Sequence, residues 1–169
     1  MPHSGHRAGG VAPLRIAILT VSDTRTDDTD ESGRLTRQLC EEAGHSVASR
    51  AIVPDEPVAV RSALEEMLAR ADLHVILING GTGISGRDRT YETVSGLLER
   101  RLDGFGELFR FLSYQEIGAA AILSRAVAGI AAGRPVFSMP GSPAAVRLAL
   151  TKLILPELGH IVAETARTT

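Results

Sequence analysis

Two predominantly apolar and β-branched runs, LRIAILTV at Leu14 to Val21 and LHVILI at Leu73 to Ile78, most constrain what this chain can fold into. Each has the length of a strand and no polar face, which is the pattern of a strand covered on both sides. Such strands belong to parallel sheets, and parallel neighbours need crossover helices between them. The intervening sequence supplies them. From Asp30 to Ala43, Leu35, Leu39 and Ala43 recur at helical spacing, with Asp30 as a candidate N-cap and Gly44 at the C′ position. Ser46 to Val53 reads as a second strand and Pro54-Asp55-Glu56-Pro57 as a turn. Val60, Leu64, Met67, Leu68 and Ala71 then line one side of a second helix.

Further along come a Gly-rich loop at Gly80 to Gly86, a helix predicted around Thr90 to Arg101, an apolar helical stretch at Ile117 to Ile130, and a last strand at Pro135 to Met139. The alternation predicts an α/β fold with a doubly wound, mostly parallel, open sheet. A final helical pattern starts near Ser142 and is apolar on more than one face through Val146, Leu150, Leu153, Ile154 and Leu158, with Pro156 as its expected break. That excess apolarity fits either a subunit interface or a helix buried in the core.

At 169 residues the chain suits one domain, since two separate cores would each be marginal. Its expected extent is residues 14–164, between tails at 1–13 and 165–169; the first tail lacks the apolar stretch of a signal peptide. Nothing approaches the roughly 20 apolar residues of a membrane span. With 18 basic against 20 acidic residues, the net charge of −2 offers no broad surface for a nucleic-acid backbone. A lone cysteine, Cys40, fits a reducing cytoplasm. The five histidines form no metal pair: His3 and His6 lie in the tail, and His45, His74 and His160 read as packing or surface residues.

Doubly wound sheets bind ligands beyond the carboxyl ends of their strands. Three loops there are chemically unusual: Ser22-Asp23-Thr24-Arg25, Asn79 to Asp88, and Pro140-Gly141-Ser142. Gly81-x-Gly83-x-x-Gly86 has dinucleotide-fingerprint spacing, yet it follows a later strand and has only Asp103 as an imperfect acidic partner. The same residues have P-loop spacing, but Arg87 and Asp88 stand where lysine and a magnesium-binding hydroxyl belong. What remains is a backbone able to approach an anion closely. Asp55 and Asp88 lie on loops at one crevice edge, and two such carboxylates suit magnesium. Alternatively, Asp55 forms a turn and Asp88 caps the following helix. Ser142 either helps hold a phosphate or is an ordinary N-cap. Arg125, after Ser124 in an apolar helix, pairs with an anion or emerges into solvent.

TVSDTR at Thr20 to Arg25, GGTGISGRD at Gly80 to Asp88, DGFGELFR at Asp103 to Arg110, AAILSRAVAG at Ala120 to Gly129 and MPGSPAAV at Met139 to Val146 occur in one order. Together they resemble the molybdenum cofactor biosynthesis protein B and MogA-type family. The resemblance covers about Leu14 to Glu164 and implies a three-layer α/β/α domain, usually a trimer or hexamer, that binds molybdopterin. In active members it implies adenylylation of the terminal phosphate, with ATP as co-substrate, Mg2+ as cofactor and pyrophosphate as product. It assigns the catalytic and metal-binding carboxylates to Asp55 and Asp88. Gly80, Gly81, Thr82, Gly83, Ser85 and Arg87 fall within its substrate loop. Ser22, Asp23, Ser124, Arg125, Pro140, Gly141 and Ser142 are further candidates for pterin and phosphate contacts. The family pattern RDVTPEA is altered here: Arg89 stands for the valine, and Tyr91-Glu92-Thr93 for the PEA. A pterin-binding or scaffold protein without turnover is the alternative function, and other cofactor-biosynthesis proteins are expected partners.

Overall fold

The computed structural model describes residues 12–167. Most of the tail assigned to 1–13 therefore lies outside the described residues. Among the described residues, six strands form one sheet in the order β2-β1-β3-β6-β5-β4. They are β1 (Arg15–Val21), β2 (Ser46–Val53), β3 (Val75–Asn79), β4 (Arg100–Arg101), β5 (Val127–Ala131) and β6 (Arg134–Met139). β2, β1, β3 and β6 run parallel, whereas β5 and β4 continue the sheet antiparallel.

The two-residue period of the strands sorts their side chains into two cores. Ile16 and Ile18 of β1, Val75 and Leu77 of β3, and Phe137 and Met139 of β6 face one core. That core is completed by α1 (Glu31–Glu42), α4 (Asp103–Ile117), α5 (Pro143–Leu148) and α6 (Leu155–Ala166). Ala17, Leu19, Val21, Ile76, Ile78 and Val136 face the other, under α2 (Pro57–Ala69) and α3 (Thr90–Ser95). This is the three-layer α/β/α arrangement. Asp30 caps α1 by accepting the Gly33 N–H, and the Pro54 to Pro57 turn leads directly into α2, which has its proline at the start.

Five local expectations change. The apolar stretch at Ile117 to Ile130 is not a helix. α4 occupies the preceding segment, a 3-10 turn covers Gly118–Leu123, and β5 follows. β5 returns to β6 through Ala132 and Gly133, both at positive φ (46° and 70°), which is the twist a two-residue hairpin requires. Alanine seldom adopts that conformation, so the hairpin signal was weak. The helix predicted to Arg101 stops at Ser95, because Arg100 and Arg101 pair with Ile130 and Gly129. Ala71 falls beyond α2 and is exposed. Pro156 does not break the final helix: a π-helical turn at Ala149–Ile154 precedes it, and the Leu155 N–H reaches back to the Leu150 carbonyl. A wider turn is how a helix accommodates a residue that clashes with the carbonyl four positions earlier. Val146, Leu150, Ile154 and Leu158 are fully buried in the first core, which accounts for the apolarity of this segment. α6 runs to Ala166, so the first two residues assigned to the C-terminal tail are helical.

Cys40 is buried in α1, and burial pushes its thiol up to about 12, with a smaller contribution from Glu41. The native state thus favours the neutral thiol, a contribution fully present below the ordinary thiol value of about 8.5 and lost as pH climbs toward 12. Alkaline denaturation monitored by circular dichroism is expected to show this decline, and Cys40→Ala to flatten it. His45 and His74 act structurally, their Nδ1 atoms accepting the N–H groups of Leu14 and Arg15 at 3.3 and 2.9 Å. No helix among the described residues is long and apolar enough to cross a membrane.

Candidate functional site

β1, β3 and β6 are direct neighbours, so the loops leaving their carboxyl ends meet although they are distant in the chain. The turn after β2 joins them. In the loop after β1, Ser22 Oγ accepts the N–H groups of Thr24 and Arg25 at 3.2 and 3.1 Å, folding the loop on itself. Asp23 reaches outward: one carboxylate oxygen accepts the Asp55 N–H at 3.0 Å and the other pairs with Arg87 at 3.1 Å. Arg87 also approaches Glu56 at 3.6 Å, stitching the turn after β2 to the loop after β3.

Glycine is required where that last loop begins. Gly80 has φ +103°, and a Cβ there would sit 2.1 Å from the Val21 carbonyl oxygen. Gly81 has φ +63°, and its Cβ would lie 2.0 Å from Thr90 Oγ1. The Gly80 N–H donates to the Met139 carbonyl, and the Thr90 N–H donates to the Gly81 carbonyl, so the loop is pinned at one end to β6 and at the other to α3. Thr82 is buried beneath it. The Asp88 carboxylate accepts the Ser85 N–H at 2.8 Å and closes the loop. It does not cap α3, whose N-cap is Arg89 and whose N-terminus has no side-chain cap.

Asp55 faces the same place. Its carboxylate accepts a 3.4 Å bond from the Thr90 hydroxyl. Burial, then the neighbouring Asp88 carboxylate, raise its carboxyl above the ordinary range, with Asp23 adding to the rise. The Asp55 carboxylate is thus repelled by Asp88 and, more weakly, by Asp23. Among the described residues no three His, Cys, Asp or Glu side chains form a metal-binding cluster, so Asp55 and Asp88 offer at most a pair of oxygen ligands.

Of the two roles left open for it, Arg125 pairs with an anion, the Glu92 carboxylate, and it also binds the glycine loop. It follows the 3-10 turn rather than lying in a helix, as Ser124 does. Its Nε donates to the carbonyls of Gly83 and Thr82 at 2.8 and 3.4 Å, one terminal nitrogen donates to the Asp88 carbonyl at 2.5 Å, and the other pairs with Glu92. The guanidinium is spent on holding the glycine loop. A cleft of about 320 Å3 opens beside it, walled by Ile84, Ser85, Asp88, Arg89, Glu92 and Arg125.

The loop after β6 is anchored from another direction. Ser142 is the N-cap of α5, accepting the Ala145 N–H at 3.2 Å, and is exposed. Gly141, between it and Pro140, accepts hydrogen bonds at its carbonyl from Arg25 at 2.8 Å and from Ser32 Oγ at 2.6 Å. Arg25 in turn lies 3.8 Å from Asp30. Asp30 is completely buried and is held by the Thr20 hydroxyl at 2.7 Å, the Gly33 N–H at 2.9 Å and Arg50 at 3.1 Å. Asn79 completes the cluster by donating to Thr20 Oγ1. Sequence patterning assigned only the cap to Asp30; the polar Thr20 inside the first apolar run and Asn79 directly after the second were the available signal for the rest.

Residues 17–160 match the family model described as "Probable molybdopterin binding domain". The chain belongs to this family. Its relatives include the molybdenum cofactor biosynthesis protein B of Halalkalibacterium halodurans, 54% identical over 160 residues that cover 94% of each chain. A crystal structure of a molybdenum cofactor biosynthesis protein B superposes with TM-score 0.91 at 52% identity, covering 93% of this chain and 98% of that one. The tungsten cofactor synthesizing protein MoaB of Pyrococcus furiosus is similar over 90% of this chain and 97% of its own, with TM-score 0.82 at 36% identity. As a member of the molybdopterin-binding family, this chain belongs to molybdenum cofactor biosynthesis. It has Tyr91 where the family pattern noted above has proline, and that ring lies against Arg125.

Proposed function

We propose that this protein binds molybdopterin and transfers AMP from MgATP to its terminal phosphate, releasing pyrophosphate. The observation that carries this reading is the convergence of Asp55 and Asp88 at the glycine loop, where the Asp55 carboxyl is raised by burial and by its acidic neighbours. Mutual repulsion of that kind is relieved by a divalent cation. A pair of carboxylates suits Mg2+, which keeps several waters and takes its remaining ligands from phosphates. Asp55 and Asp88 would hold Mg2+, which when bound neutralises phosphate charge.

The protein's own residues orient and shield. An oxygen of the pterin phosphate attacks the α-phosphorus of ATP, forming a P–O bond. The bond from that phosphorus to the bridging oxygen breaks, and its electron pair leaves on pyrophosphate. A phosphate monoester is already largely dianionic near neutral pH, so no base need remove a proton. Gly80 and Gly81 let the backbone approach the phosphates, and the hydroxyls of Thr82 and Ser85 are candidate donors. Ser22, Asp23, Arg87, Ser124, Arg125, Pro140, Gly141 and Ser142 then serve mainly to assemble the crevice walls. The test is anaerobic incubation of the protein with molybdopterin and MgATP, following adenylylated pterin and pyrophosphate. Pterin retained without product would instead support a binding or scaffold role.

The reading extends to assembly and location. Leu108, Phe111, Tyr114 and Ile117 on α4, with Ile122 and Leu123 on the adjoining 3-10 turn, are all at least half exposed. Contiguous apolar surface of this kind is ordinarily covered, and we assign its cover to further copies of the chain. Light scattering is expected to give an oligomer mass, and Phe111→Asp combined with Ile122→Asp to reduce it to that of one chain. A single buried thiol suits the cytoplasm, where other molybdenum cofactor biosynthesis proteins would receive the product.

A further inference from the structure

Tyr91 is half-buried on α3. Its ring carries the Arg125 guanidinium at 5.2 Å from the centroid and the Arg101 guanidinium at 5.8 Å. Its hydroxyl accepts a 2.9 Å bond from Arg101, which is also tied to Asp103 at 3.1 Å. The ring thus joins the β4 edge to Arg125, and Arg125 binds three carbonyls of the glycine loop as well as Glu92. Three of those acceptors are neutral, part-buried carbonyls, and the fourth, the Glu92 carboxylate, is exposed, so that its pairing is screened by water. The aromatic face is the contact that water cannot reproduce, because it attracts the cation and shields one side of it.

We propose that Tyr91 is a positioning residue, which holds the Arg125 guanidinium in place and through it sets the conformation of the Thr82 to Asp88 loop. The effect on the loop is independent of what the site binds. The effect on nucleotide rests on the adenylyl-transfer reading, since the same loop carries Asp88. The ring is the working part and the hydroxyl is secondary, so Tyr91→Phe keeps the function and Tyr91→Ala loses it.

Hydrogen exchange of the full chain without ligand, resolved by mass spectrometry, tests this directly. In Tyr91→Ala the segment from Thr82 to Asp88 is expected to exchange about fivefold faster, the factor appropriate to one exposed cation–π contact, while Tyr91→Phe stays within about twofold of wild type. Half-saturating MgATP in a thermal-shift titration is expected to rise by the same factor in Tyr91→Ala and to be restored in Tyr91→Phe. Unchanged loop exchange in Tyr91→Ala would overturn the proposal. So would acceleration spread evenly over β1 and β3, which marks a general loss of stability. If wild type gives no MgATP shift but loop exchange still separates the two variants, the positioning role stands and the adenylyl-transfer reading falls.

Discussion

Asp88→Asn is expected to abolish AMP transfer to molybdopterin, with a fall of at least about a hundredfold, while the protein stays folded. The substitution separates two jobs of one carboxylate. As a loop element, Asp88 accepts the Ser85 N–H at 2.8 Å, and an asparagine carbonyl can accept the same bond. As a charge, it stands beside Asp55 and helps raise that carboxyl. Removing the charge leaves loop closure intact and relieves the repulsion, so the melting temperature of the free protein should hold or rise slightly. The stabilisation given by MgATP should shrink with it, since a ligand stabilises only as far as the native state binds it. Thermal melts with and without MgATP, run beside the product assay, read both effects. Full turnover in Asp88→Asn would remove this carboxylate from the chemistry.

The second large effect concerns stability. Asp30 is completely buried, and Arg50, Arg25, the Thr20 hydroxyl and the Gly33 N–H all converge on it. Asp30→Ala removes the cap of α1 and leaves the Arg50 guanidinium without the buried carboxylate at 3.1 Å. Breaking one side of a buried pair costs about 3–5 kcal/mol, with the lost cap included in that range as a minor part. For a chain of this size such a loss lowers the melting temperature by roughly 10 °C. Arg50→Met in the Asp30→Ala background is expected to recover part of it, because the Arg50 cation no longer needs a partner while Arg25 keeps the Gly141 carbonyl. Calorimetry on the two single variants and the double variant measures the coupling. Additive losses would mean that the pair acts independently. The loop after β6 should loosen in Asp30→Ala as well, since Arg25 connects Asp30 to the Gly141 carbonyl.

Much of the architecture was legible because it rests on local rules. Predominantly apolar runs marked β1 and β3, Asp30 and Gly44 bounded α1, and Pro54 to Pro57 marked the turn into α2. Gly80 and Gly81 announced a backbone constraint that a Cβ would violate. The misread segments are those in which two elements compete for one apolar pattern. Ile117 to Ile130 has helical spacing, yet its second half pairs with β6 because a hairpin at Ala132 and Gly133 brings it back. Pro156 signalled a break, yet a π turn absorbs it and the buried helix continues.

The sequence by itself determined which residues could bear chemistry, through glycine stereochemistry, loop aspartates and the strand ends that present them. Only the tertiary structure decided what each one touches. Strand order placed β1, β3 and β6 side by side, and so brought Asp23 to Arg87 and Arg25 to Gly141. It also set Arg125 against both the glycine-loop carbonyls and the Glu92 carboxylate. The reason is physical: periodicity, capping and turn preference are energies of neighbouring residues, whereas a guanidinium bonds to whichever acceptors the packed sheet sets within about 3 Å.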